Sequence, residues 1–321
     1  MIHKEKNFCV VGAGYWGKNH IRTLHELGAL KGIVDSNQEV LSSYLKRYSN
    51  IYTHDSLEHA LKKNYDAYIV STPAETHYSI AKEIILRKKP VLIEKPLALN
   101  IKNAEELVIL ANLNKVQMMV GHVLLFHPAI NKIKKIIDEG KIGKLQYIYS
   151  NRLNLGKVRA DENVFWSFAP HDISVFLYLT DSYPEKIKAS GSTFLQKNIH
   201  DSTITQMSFP NGVDSHIFVS WIHPFKEHRL VVIGSKAMIT FEDSLDGKPL
   251  KLHSKRVDIG SEGPKKIDGP VKHIKYDNFE PLKKELEYFL DCIESKEEIK
   301  TANGSNALKV IRILSNASDD L

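Results

Sequence analysis

The chain has 321 residues, 42% of them hydrophobic and 26% charged, with 44 Lys and Arg against 38 Asp and Glu and a formal net charge of +6. That length allows two domains with real cores, and the composition is that of an ordinary globular protein. It excludes a membrane-spanning chain, because no apolar run of about 18 residues occurs, and a disulfide scaffold, because the only cysteines are Cys9 and Cys292.

Two cysteines in so long a chain point to a reducing, cytoplasmic compartment, and "MIHKEKNF" leads into a strand with no visible leader segment. The basic balance reads as a lysine-rich surface or as attraction for an anionic small substrate. The lysines are dispersed and form no stripe with interleaved aromatics, which argues against nucleic acid.

In chain order, "NFCVVGAG" is a strand running into a glycine turn. "YWGKNHIRTLHELG" has helical spacing at Trp16, His20, Thr23, Leu24 and Leu27, with Gly28 at a C-terminal cap position. Strands follow in "LKGIVDSN", "DAYIVSTP", "PVLIEKP" and "VQMMVG", separated by helices in "ETHYSIAKEIILRKK" and "NAEELVILANLN". Strands with near-continuous apolar runs, alternating with helices, predict a parallel sheet covered on both faces.

The pattern changes after Gly121. "HPAINKIKKIIDEG" is a helix stopped by glycine. "KLQYIYSNRL", "EKIKASGSTFL", "STITQMSF", "VDSHIFVSWI", "HRLVVIG" and "AMITFED" mostly alternate apolar and polar residues, as strands with one wet face do. Pro210-Asn211-Gly212 suits a hairpin turn. Residues 244–278 read as loops with a strand or two, and two helices close the chain near 280–295 and 303–316. The expected class is α/β: residues 1–121 form a doubly wound domain on a parallel sheet. Residues 122–321 form an α+β domain for substrate binding and oligomerisation, with a large, mostly antiparallel open sheet, and the last helices are free to pack back on the first domain. An open sheet face needs a cover, part of which a second copy can supply in a homodimer or homotetramer; a light-scattering mass of one chain would end that expectation.

Gly12-Ala13-Gly14-Tyr15-Trp16-Gly17 is a G-x-G-x-x-G between a strand and a helix, and Asp35 ends the next strand 21 residues after Gly14. This is the context a dinucleotide fingerprint requires: glycines for the turn, for approach to a pyrophosphate and for helix packing. Helix amides serve the phosphates, and the acid serves the ribose hydroxyls. Asp35 followed by Ser36-Asn37 offers no arginine for a 2′-phosphate, which favours NAD over NADP. Ligands of such sheets bind at the carboxyl ends of strands. Two of these ends are Ser71-Thr72-Pro73 and Glu94-Lys95-Pro96. Lys95 there can hydrogen-bond a substrate oxygen and stabilise developing alkoxide charge, while Glu94 can pair with Lys95 or meet the nicotinamide ribose. His77 offers either a cofactor contact or a cap.

In "VFWSFAPHDISVFLYL", Pro170 fits the first turn of a helix, which puts His171 and Asp172 at the positive end of its dipole. A neutral imidazole there is a general base. Arg152, Asn154, Lys157, Arg159, Asn163 and Trp166 precede or open that helix and are sugar or diphosphate contacts or ordinary loop residues. His122 and His127 flank a strand end, but no helix-spaced pair or acid partner supports a metal, so none is expected. His216, His223 and His228 read as structural or exposed, and Cys9 as buried and unreactive.

Together "VVGAGYWGKNH", "STPAETHY", "IEKPLAL", "VGHVLLFHPAI", "GKIGKLQ", "HDISVFLYL" and "EPLKKELEYFL…ALKVIRIL" resemble the Gfo/Idh/MocA family of NAD(P)-dependent sugar oxidoreductases, in the family's order and over nearly the whole chain. The resemblance implies a Rossmann domain followed by an α/β domain with a large open sheet. It implies that Lys95 and His171 act at the carbon being oxidised, with NAD as cofactor. It also carries Gly12, Gly14, Tyr15, Trp16, Gly17, Asp35, Ser71, Thr72, Pro73, His77 and Glu94 to the cofactor. His122, Arg152, Asn154, Arg159 and Trp166 go to the substrate, along with Lys95 and His171. Many members carry an aspartate four residues before the histidine; here it is Ser167, so the group that orients His171 stays open. The arginine often found after "VG" is replaced by Leu125. "RLNLGKVRADENVFWSFAPHDIS" resembles the branch acting on nucleotide-linked amino sugars, the UDP-N-acetylglucosamine 3-dehydrogenase type. That implies oxidation of the C3 hydroxyl of a UDP-sugar. Within the family, a UDP-N-acetylglucosaminuronate 3-dehydrogenase or another sugar dehydrogenase or ketoreductase is the alternative, and outside enzymes, an NAD-binding regulator.

Overall fold

A computed structural model describes residues 6–160 and 162–321. The chain forms two compact units, one of residues up to Phe126 with Phe279–Ile311 and one of His127–Asn278 with Arg312–Leu321.

The first unit runs β1 (Phe8–Val11), α1 (Gly17–Glu26), β2 (Leu30–Val34), α2 (Gln38–Arg47), β3 (Tyr52–His54), α3 (Leu57–Leu61), β4 (Ala67–Val70), α4 (Ala74–Leu86), β5 (Val91–Ile93), α5 (Ile101–Leu113) and β6 (Met118–Val120), then a short 3-10 helix, Val123–Phe126. Among the described residues the strands form one parallel sheet in the order β3-β2-β1-β4-β5-β6. Every residue of β1, β4 and β5 is buried, which is why those segments read as unbroken apolar runs. The sheet order reverses at β1, between β2 and β4, and the loops leaving β1 and β4 part there. That switch point is where a doubly wound sheet leaves its ligand crevice. The short elements α2, β3 and α3 carry too little apolar periodicity to stand out in the sequence. α2 is set by its cap, the Asn37 side chain accepting from the amides of Glu39 and Val40.

The second unit holds α6 (Pro128–Asp138), β7 (Leu145–Leu155), α7 (Val164–Thr180), β8 (Lys186–Ser192), β9 (Ser202–Ser208), β10 (Asp214–Ser220), β11 (Ile222–Gly234), β12 (Met238–Glu242), β13 (Leu250–Gly260) and β14 (Gly263–His273). These strands form one sheet in the order β14-β13-β12-β11-β7-β10-β9-β8. It is antiparallel except where β10 runs parallel to β7. α7 packs on β7, β9 and β10, and alternate residues of β10 are buried beneath it. β9 and β10 are joined by the expected turn, with the Gly212 amide donating to the Phe209 carbonyl and Phe209 to Val213.

Two expectations need correction here. Residues 244–278 are not mainly loop: β13 and β14 pair as a long hairpin from Lys251↔His273 to Gly260↔Gly263. Both its faces are wet, so its stability lies in the ladder and no apolar alternation announces it. Nor does the histidine helix begin at Pro170. α7 starts at Val164, with the Asn163 side chain capping the Trp166 amide, and Pro170 lies inside it. Val164, Phe165 and Ala169 are fully buried, which holds the extra turn in place despite the missing proline donor. The positive helix end therefore falls at Val164 to Trp166, not at His171.

The chain closes with α8 (Pro281–Ser295) in the first unit and α9 (Gly304–Ser318), whose final residues belong to the second. α8 buries Leu282, Glu285, Leu286 and Phe289, one face at helical spacing. Each large apolar side chain so buried stabilises the fold by about 1.5–3 kcal/mol; Glu285 in their midst does not.

Candidate active site

In the first unit the glycine turn has three separable constraints. Gly12 has φ +94°, and a Cβ there would lie 2.8 Å from the Thr72 amide. A Cβ on Gly17 would come within 2.0 Å of the Gly12 carbonyl, so α1 can approach the turn only without a side chain. At Gly14 a Cβ would meet nothing within 4 Å. It is a cradle that a methyl group would fill, and packing does not explain it. α1 has no side-chain cap, in contrast to α2 and α5; its Lys18 amide donates to the Gly14 carbonyl and its Asn19 amide to that of Trp16, so this helix end offers an anion its dipole. The Asp35 carboxylate accepts the Ala13 amide (2.8 Å) and the Asn37 amide (2.9 Å). These two bonds fix it beside the turn and leave further lone pairs for hydroxyl donors. Tyr15 is exposed, with Lys18 over its ring at 4.7 Å. These features fit a dinucleotide, and an open Gly14 before a helix N-terminus fits its pyrophosphate.

At the carboxyl end of β4, the Ser71 hydroxyl donates to the Gly12 carbonyl (2.8 Å), and Pro73 opens α4. The Thr76 hydroxyl donates to that of Thr72 (2.7 Å). His77 is buried, with its ring nitrogens 2.9 Å from the Thr72 carbonyl and 2.8 Å from the Pro96 carbonyl. It ties the β4 and β5 end loops together, so it is a strut, and its reading as a cofactor contact is dropped.

Glu94 and Lys95 leave β5 with both side chains half-buried. One oxygen of Glu94 receives the Trp16 indole N–H (2.5 Å) and the His20 Nε2 (2.6 Å). Its carboxylate lies against Gly121, where a Cβ would come within 2.9 Å of it. Burial alone would raise the Glu94 pKa. The His20 and Trp16 hydrogen bonds and the charge of Lys95 outweigh it, and Glu94 is held below the usual carboxylate range. His122 sits in the same neighbourhood, 2% exposed and pushed down to about 4 by burial, with neither nitrogen hydrogen-bonded.

In the second unit, His171 is half-buried on α7. The next residue, Asp172, receives Arg152 in a two-point ion pair, Nε to Oδ2 at 2.7 Å and Nη2 to Oδ1 at 3.2 Å. The Arg152 side chain is only 13% exposed and the Asp172 side chain 8%. Burial disfavours the guanidinium charge, but Asp172 more than compensates and raises the Arg152 pKa. Arg152 also lies 3.4 Å from His228 Nδ1. Burial first, and then the Arg152 charge, push His228 down to about 3. Arg152 is thus a strut between β7 and α7, not the substrate contact expected of it. Trp166 likewise donates its indole N–H to the Ser318 hydroxyl (3.0 Å). Asn154 is half-buried, and Arg159 is exposed and paired with Glu162 at 2.9 Å. His127 caps α6 and lies against Phe241 and Tyr276; burial pushes it to about 4.

Sequence reasoning passed over His20 as part of a helix face and did not weigh Glu285. Glu285 had a signal, an acid at helical spacing inside an apolar face. Cys9 is buried and its thiol is pushed up, as expected of an inert cysteine. Among the described residues no group of three or more His, Cys, Asp or Glu could hold a metal ion, and no helix is long and apolar enough to cross a membrane.

Residues 6–122 match the family described as "Oxidoreductase family, NAD-binding Rossmann fold", and residues 130–240 match the Gfo/Idh/MocA C-terminal domain. A UDP-N-acetylglucosamine 3-dehydrogenase from Acidithiobacillus ferrooxidans is 27% identical over 221 residues, 68% of either chain. Its solved structure has a TM-score of 0.86 with 20% identity, covering 99% of this chain and 98% of that one. An inositol 2-dehydrogenase from Rhizobium meliloti is 22% identical over 95% of this chain and 94% of its own. A structure of an oxidoreductase from Agrobacterium radiobacter in complex with NAD+ has a TM-score of 0.81 at 16% identity, covering 99% of this chain and 96% of that one. The glycine cradle, the acid after β2 and the charged end of β5 thus sit in a known frame: the chain belongs to the Gfo/Idh/MocA oxidoreductase family, and its first unit is an NAD-binding Rossmann domain.

Proposed function

We propose that the protein is an NAD-dependent dehydrogenase that oxidises the C3 hydroxyl of a nucleotide-linked amino sugar of the UDP-N-acetylglucosamine type. The observation that carries the reading is the end of β5. A lysine and a carboxylate held ionised stand half-buried at the carboxyl edge of the sheet, beside an open glycine cradle.

Asp35 would accept the adenosine ribose hydroxyls, the α1 N-terminus and Gly14 would receive the pyrophosphate, and Glu94 would accept the nicotinamide ribose. When bound, NAD supplies the hydride acceptor. Lys95 donates a hydrogen bond to the substrate oxygen and stabilises negative charge as it develops there. His171 takes the hydroxyl proton as general base. The hydroxyl oxygen gives its proton to His171 and its carbon gives up a hydride, so the C–OH group becomes a ketone. Asp172, anchored by Arg152, fixes the α7 backbone from which His171 projects.

The choice of a UDP-amino sugar rests on the similarity to the Acidithiobacillus enzyme and agrees with the net positive charge. A screen of UDP-sugars with NAD, read at the NADH absorbance band, tests it. UDP-N-acetylglucosamine-dependent NADH formation supports the reading. Turnover with myo-inositol or a free monosaccharide alone would replace the substrate. NADH binding with no sugar-dependent change would point to a regulator.

A further inference from the structure

α8 brings a carboxylic acid into the interior of the first unit. Glu285 is fully buried, and neither of its oxygens has a hydrogen-bond partner. α8 packs on α1, which carries His20, and on the 3-10 helix that directly follows His122. Glu94 lies close enough for its charge to act on Glu285. Nδ1 of His20 and both nitrogens of His122 are also buried without partners. Buried polar groups in native proteins are satisfied as a rule, and one orphan would be a local defect. Here groups from three elements meet at Glu94, His20 by a hydrogen bond and His122 and Glu285 through charge. The titratable groups here are His20 from α1, Glu94 and Lys95 from the end of β5, His122 from the end of β6 and Glu285 from α8.

We propose that Glu285 is a positioning residue for Glu94: the two carboxyls act as one buried acid that carries a single negative charge, kept on Glu94, where Trp16 and His20 donate to it. Two carboxylates in one buried site cannot both ionise cheaply. Burial, with the charge of Glu94 added, raises Glu285 far above the usual carboxyl range, while Glu94 is lowered. The neutral Glu285 adds no second charge beside Glu94. Ionising Glu285 sets a second negative charge beside Glu94 and loosens the grip of His20 on it. Cofactor affinity then depends on a proton that never touches the cofactor. This deepens the reading of Glu94 as the nicotinamide-ribose acceptor and rests on it.

Two measurements on the full chain test the pair. Isotope-edited infrared spectra of the protein without cofactor should show a protonated carboxyl band in wild type that Glu285→Gln removes. NADH titrations by fluorescence should weaken about fivefold in wild type as alkaline pH deprotonates Glu285, the low end of ordinary site-to-site coupling. Glu285→Gln, which cannot ionise, should lose that alkaline limb. No protonated carboxyl in wild type, or a band that survives Glu285→Gln, overturns the proposal, and the wild-type spectrum alone decides this if the variant does not fold. A band that behaves as stated, with parallel pH profiles for the two proteins, overturns the positioning role. Glu94→Gln separates the underlying reading: if it binds NADH like wild type while the infrared result holds, the acid pair stands and the ribose contact falls.

Discussion

Arg152 and Asp172 are joined across β7 and α7 by two hydrogen bonds, 2.7 and 3.2 Å, with both side chains largely out of water. Asp172 is the neighbour of His171, so the pair fixes the helix turn that carries the proposed base. It supplies an anchor where the family's upstream aspartate is Ser167. Removing one partner of a buried ion pair leaves an uncompensated charge, at a cost of about 3–5 kcal/mol. Arg152→Ala should lower the unfolding free energy by that amount, read from the shift of the urea midpoint at constant m. Arg152→Lys, which keeps the charge but loses the planar fork, should fall between the two and lose turnover more than sugar affinity. Equal midpoints for the three proteins in urea would remove Arg152 from this role.

Lys95→Ala should fold, since the side chain is half-buried at a strand end rather than in the core. If the ammonium stabilises the developing oxyanion, turnover with saturating sugar should drop about 10²–10³-fold. NADH affinity should change little by comparison. Steady-state kinetics paired with an NADH titration separates the two.

The glycine turn predicts a contrast between neighbours. Gly14→Ala adds a methyl group into open space, so thermal stability should hold while NAD affinity falls at least about tenfold, a loss of roughly 1.4 kcal/mol. Gly17→Ala would force the methyl against the Gly12 carbonyl, so stability should fall first. Differential scanning calorimetry with and without NAD distinguishes them. Equal destabilisation by both would mean that Gly14 serves packing.

Acid should unfold the protein through its neutral histidines. His122 and His127 are held down to about 4 by burial, whereas an unfolded histidine titrates near about 6.5. Below that value the unfolded state binds protons first. The stability these residues contribute is therefore whole above pH of about 6.5 and is lost as pH falls toward 4. Each group can add a slope of up to about 1.4 kcal/mol per pH unit. Chemical denaturation at stepped pH checks this, and His122→Asn should flatten the curve. A stability that rises on acidification through this window would contradict it.

The parallel sheet was legible because burial on both faces writes itself as runs such as Val91-Leu92-Ile93. The hairpin of β13 and β14 was not, because two wet faces show no apolar alternation. The end of β5 could be singled out, since a charged pair is odd after a buried strand. What holds it could not: Trp16, His20 and Glu285 lie on helices far away in sequence. At α7, Pro170 looked like a start signal, but buried Val164, Phe165 and Ala169 carried the helix through it. Arg152 and His77 were read as ligand contacts because polar residues near a predicted site invite that reading. The tertiary structure instead gives each of them an internal partner.

The most direct test of the central claim is the NADH absorbance of wild type, Lys95→Ala and His171→Ala, each mixed with NAD+ and UDP-N-acetylglucosamine. The account predicts sugar-dependent NADH from the wild type, and loss of it in both variants while they still bind NADH. NADH formation by either variant at the wild-type rate would contradict it, as would a wild type that binds NADH yet turns over no sugar nucleotide.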